Sequence, residues 1–97
     1  MKLRYRILTM MRVRGWSLDW PDRSAYLHLE VSELTEAVRG KSGDILDESA
    51  DVLITLLALS KYDLEPIARR ARIKVDLLLE QPFYEGEYAP MKKQDED

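Results

Sequence analysis

The sequence has no cysteine and only one histidine in 97 residues. Without cysteine there is neither a disulfide framework nor a thiolate metal site, and a lone His28 cannot furnish a multi-histidine zinc site. Any metal bound by this chain must therefore be held mainly through oxygen. Long apolar runs are also missing. Those in the N-terminal stretch are too short for a signal-peptide core or a membrane span, so the expectation is a cytoplasmic protein with no membrane association. Acidic residues are absent before Asp19, whereas Lys2, Arg4, Arg6, Arg12 and Arg14 make the first segment a basic stripe. Such a stripe suits phosphates, anionic lipid or plain water. The overall charge of −3 argues against generic nucleic-acid binding.

Hydrophobic residues at 45% and charged residues at 34% are ordinary for a globular chain. The expectation is a single domain over residues 1–90 followed by a polar, disordered tail over 91–97. A domain this small leaves a large share of its apolar surface in water, which makes a homodimer or homotetramer the expected state.

Apolar periodicity predicts four helices and no strand, an all-α helical bundle completed by homo-oligomerisation. Leu3, Ile7 and Met11 define a short first helix ending near Arg14, with Gly15 and Pro21 bracketing its end. Gly15 to Asp22 reads as a loop holding Trp16 and Trp20, a pocket wall or docking surface. Leu27, Val31, Leu34 and Val38 form one stripe of a second helix from Asp22 or Ser24 to Arg39, stopped by Gly40. Ser42 or Asp44 then caps a third helix running to about Lys61. From Val52 to Leu59 the third helix is apolar in nearly every direction, more than one small chain can cover. A fourth helix runs from Pro66 to about Glu80 on Ile67, Ala71, Val75 and Leu78. Gln81 to Pro90 reads as a loop.

The chemistry-bearing residues are acidic. Glu30 and Glu33 lie three apart on the second helix, and Glu48 and Asp51 three apart on the third, so each pair shares a helix face. If the two helices pack antiparallel, four carboxylates surround one point, an all-oxygen site for a hard divalent cation such as Mg²⁺ or Mn²⁺. The spacing alone is weak evidence among 18 acidic residues, because Asp19/Asp22, Glu33/Glu36 and Asp44/Asp47 repeat it. The bland alternative is a set of exposed acids, some paired with Arg39, Arg69 or Arg70. Asp51 stands apart, at the mouth of the all-round apolar segment, where an ionised carboxylate requires a metal, a cationic partner or a proton.

Two segments, Leu29-Glu30-Val31-Ser32-Glu33-Leu34 and Asp47-Glu48-Ser49-Ala50-Asp51-Val52, resemble the E-x-x-E and E-x-x-D motifs of the all-α NTP pyrophosphohydrolases of the MazG and dCTP-pyrophosphatase type. The likeness extends over roughly residues 16 to 76. It implies a MazG-like fold, Mg²⁺ held by Glu30, Glu33, Glu48 and Asp51, and cleavage of a (d)NTP to (d)NMP and pyrophosphate in nucleotide-pool house-cleaning. A spare motif carboxylate would take the proton of the attacking water.

The resemblance also implies a phosphate contact at Lys74, in a K-x-D element with Asp76, and base stacking on Trp16 or Trp20 beside the Pro21 to Arg23 segment. Core or interface packing is the plain alternative for both tryptophans, and an exposed lysine for Lys74. Where many relatives continue with Asn and several Arg, this chain has Leu77, Leu78, Leu79 and Glu80, so the phosphate grip would fall to Arg72, Lys92, Lys93 or the basic first helix. His28 points away from Glu30 and is not expected in a ligand set. Two rivals remain. One is a phosphoribosyl-ATP pyrophosphatase, disfavoured by Val52-Leu53-Ile54-Thr55 after the Asp, and the other is a non-catalytic helical module that keeps the fold.

Overall fold

The computed structural model describes residues 2–82, and in them four helices and no strand. Helix α1 spans Leu3–Arg14 and ends at Gly15, which adopts the left-handed φ of 73°. There Gly15 N–H donates to Arg12 C=O at 3.2 Å and Trp16 N–H to Met11 C=O at 2.9 Å, closing the last turn. Helix α2 spans Trp20–Val38, so the expected loop is shorter at its far end. Pro21 begins α2 instead of bracketing α1, because its fixed φ and missing N–H cost nothing in a first turn.

Helix α3 spans Ile45–Leu59 and is capped by Asp44, whose carboxylate accepts from Asp47 N–H at 2.9 Å. Helix α4 spans Leu64–Glu80, beginning two residues before Pro66 because Asp63 caps it, accepting from Leu64 N–H at 2.8 Å. The expected Gln81 to Pro90 loop beyond Pro82, Lys92 and Lys93, and the polar tail all lie outside the described residues.

Helices α2 and α3 form the main packed pair, with α1 laid against α3. Arg23, early in α2, reaches Ala58, late in α3, whereas Glu33 approaches Glu48 near the connecting turn. Contacts that rise along one helix as they fall along the other make the pair antiparallel. Ile7 and Met11 of α1 and Leu57 and Ala58 of α3 are the buried centre, with Leu53, Ile54, Tyr26 and Ile67 partly buried around it.

Two expectations change in detail and one holds. On α2 the covered positions include Arg23, Leu27, Glu30, Leu34 and Ala37, while Val31 and Val38 of the expected stripe are exposed. The stripe is rotated, and Glu30 stands inside it. On α3, as expected, the apolar segment is incompletely covered by the described residues: Thr55, Leu57 and Ala58 are buried but most neighbours from Asp51 to Leu59 are only half-buried. On α4 the apolar stripe is exposed beyond Ala68, including Val75 and Leu78.

Two arginines stitch the helices together. Arg4 Nε donates to Leu57 C=O at 2.8 Å and Ser60 C=O at 2.7 Å, and Arg23 Nη1 donates to Ala58 C=O at 2.7 Å. These are the carbonyls at the C-terminus of α3, where the helix dipole favours a cation. Arg4 is thus a structural cap and not part of a free basic stripe, and Arg23 caps the same end of α3.

Candidate metal centre

The rotated stripe on α2 decides the site. Because Glu30 occupies a covered position at the α2–α3 contact, its carboxylate is removed from water and directed to the opposing helix. Glu48, in the first turn of α3, meets it, and Glu33 closes the group from the rim. One carboxylate oxygen from each of Glu30, Glu33 and Glu48 lies within 4.8 Å of the others, with Glu30 and Glu48 half-buried and Glu33 exposed.

Asp51 is half-buried one helical turn beyond Glu48 and close enough that its charge acts on both Glu30 and Glu48. The tightest cluster is therefore three glutamates with Asp51 beside them. The emphasis moves from Asp51 to Glu30, since burial at the helix contact, not the apolar run of α3, isolates these carboxylates.

The electrostatics are unfavourable without a cation. Glu30 is pushed up to about 7, first by burial, then by the neighbouring Glu33 carboxylate and the charges of Asp51 and Glu48. Glu48 is also raised, first by desolvation, then by the charges of Glu33, Asp51, Asp47 and Asp44. Among the described residues the ion pairs are Lys41–Glu36 at 4.0 Å and Arg69–Glu65 at 3.7 Å, and neither involves the cluster.

Among the described residues, the buried oxygens Glu30 Oε2 and Glu48 Oε2 have no hydrogen-bond partner. Buried carboxylate oxygens are normally paired. Two orphaned oxygens on members of a three-carboxylate cluster fit a hard divalent cation, which would take oxygen ligands at about 2.0–2.1 Å for Mg²⁺.

Beside the cluster is a cavity of about 280 Å³ lined by Trp16, Tyr26, Leu29, Glu30 and Thr55. Trp16 and Tyr26 meet in a tilted arrangement with ring centroids 6.2 Å apart. The cavity thus has an aromatic wall and an acidic floor. Thr55 is held by donating to Asp51 C=O at 3.1 Å and belongs to the same α3 face as Glu48 and Asp51. Its place four residues after Asp51 was the available sequence signal for it.

No protein-family model, curated protein or solved structure matches this chain. The geometry must carry the assignment.

The remaining expected residues separate into different places. Trp20 is 69% exposed in the first turn of α2 and does not line the aromatic cavity. Lys74 lines another groove, of about 380 Å³, with Tyr62, Pro66, Ile67, Arg70 and Ala71. Within one chain, then, Trp16 joins the carboxylates while Lys74 and Trp20 do not. His28 is exposed and takes no part.

Proposed function

We propose that this chain is a Mg²⁺- or Mn²⁺-dependent nucleotide pyrophosphohydrolase of the MazG-like, all-α kind, cleaving a (d)NTP to (d)NMP and pyrophosphate. The observation that carries the reading is the meeting of Glu30, Glu33 and Glu48 across two helices with two buried, unpartnered oxygens. When bound, the cation supplies charge neutralisation at the phosphate oxygens and a more acidic water.

The chain's own residues do the rest. Glu30, Glu33 and Glu48, with Asp51 beside them, would hold the cation from the contact between the two helices, and whichever of these carboxylates the cation leaves spare would accept a proton from water. Trp16 offers a flat apolar face for a base entering the adjoining cavity.

Part of the site would come from a second copy. The exposed stripe of Ala71, Val75 and Leu78 on α4 and the half-covered face of α3 support a homodimer or homotetramer. In that assembly the groove containing Lys74 and Arg70 can face the carboxylates of the other copy, supplying the cations that one chain does not bring to its own cluster.

Lys74's separation from the cluster also favours a second reading, a metal-binding helical module without catalysis. A panel of dNTPs and NTPs assayed for pyrophosphate release with Mg²⁺ and Mn²⁺ separates the two. The enzyme reading expects metal-dependent release that Glu48→Gln and Asp51→Asn remove. Metal binding without release from any triphosphate would support the module instead.

A further inference from the structure

The loop between α2 and α3 contains two glycines with left-handed φ, Gly40 at 77° and Gly43 at 85°. Their surroundings differ. A Cβ at Gly40 would meet nothing within 4 Å, whereas a Cβ at Gly43 would lie 2.9 Å from Glu48 Oε1, 3.4 Å from its Cγ and 3.5 Å from its Cδ. The first distance is too short for a real contact, and the other two are near ordinary packing.

This approach follows from helix geometry. Glu48 is in the first turn of α3, its N–H bonded to Asp44 C=O at 2.9 Å, and helical side chains lean toward the N-terminus of their helix. The carboxylate of Glu48 therefore leans back over the residue just before the cap, which is Gly43. In this position its Oε1 occupies space that a Cβ at residue 43 would contest, so a side chain there would make the carboxylate shift.

We infer that Gly43 is a positioning residue of the metal centre: its missing Cβ leaves the space in which Glu48 must lie to meet Glu30 and Glu33. This rests on the reading of these acids as a cation site. A methyl group at position 43 would displace only the far end of a flexible side chain, so the fold tolerates it while the cluster loses its geometry. The same methyl group at Gly40 imposes the left-handed backbone cost alone. Gly40 is thus an internal control for Gly43.

The test is Mn²⁺ binding to the full chain, followed by loss of the free-ion electron spin resonance signal, with melting of each metal-free variant measured in parallel. Gly43→Ala and Gly40→Ala should melt similarly. Gly43→Ala should bind Mn²⁺ about 10–100-fold more weakly than wild type, the usual cost of disturbing what orients a ligand, while Gly40→Ala binds like wild type.

Gly43→Asn carries the same Cβ but tolerates the left-handed region better, and it should weaken Mn²⁺ comparably if Gly43→Ala folds poorly. If both Gly43 variants bind as Gly40→Ala does, the positioning role is wrong and the metal reading stands. If wild type takes up no Mn²⁺, the metal reading itself fails, and this inference with it.

Discussion

Glu30 illustrates how one residue position sets the character of the site. It lies on the covered stripe of α2, where an apolar side chain would pack better, and its carboxyl is pushed up to about 7 from the ordinary 4.5. The folded metal-free protein therefore binds more protons than the unfolded chain between those values. Stability contributed by this group is fully present below pH 4.5 and lost as pH rises through about 7. Glu30→Gln should flatten that slope and raise the metal-free melting temperature at pH 8 by roughly 5–15 °C. The underlying gain is on the order of 1–2 kcal/mol once solvent screening is allowed for. A lower melting temperature for Glu30→Gln at pH 8 would show that the carboxylate is already neutralised by something else. The sequence placed Glu30 in the motif but could not show its burial, because Leu27, Val31, Leu34 and Val38 also form a respectable stripe. Only the contact with α3 selects the rotated one.

The ends of the elements were legible where a local side chain decides them. Gly15, Gly40 and Asp44 act as the residue types suggest, since left-handed φ and carboxylate capping are local properties. The start of α2 was not, because Pro21 is compatible with both a loop and a first turn. Asp44→Ala should cost about 1 kcal/mol through the lost cap, offset in part by weaker repulsion on Glu48. Urea denaturation checks it, and an unchanged midpoint would mean that repulsion cancels the cap. Arg23 and Arg4 were also illegible, since a basic residue in a charged segment reads as solvated until tertiary structure brings carbonyls to it. Arg23→Met keeps the stem and leaves Ala58 C=O without its donor, and it should cost about 1–3 kcal/mol in the same experiment. A neutral result would show that water replaces the guanidinium.

The four-helix, strand-free architecture and the incomplete cover of α3 followed from periodicity, while the exposure of α4 beyond Ala68 among the described residues did not, because an apolar stripe does not say what it packs against. Exposed Val75 and Leu78 make the assembly testable at the scale of the molecule. Leu78→Glu should shift the solution mass of a homo-oligomer toward the monomer, and a wild type that is already monomeric would remove the second copy from the account. No helix among the described residues is long and apolar enough to cross a membrane.

The central claim is that these carboxylates hold a divalent cation, and the most direct measurement of it is thermal melting of the full chain with and without Mg²⁺ or Mn²⁺. A metal at 100 times its Kd stabilises by about 2.7 kcal/mol, or roughly 10–20 °C for a domain of this size, and Glu48→Gln should abolish most of that rise. Equal melting temperatures with and without either metal, in wild type as in Glu48→Gln, would contradict the account.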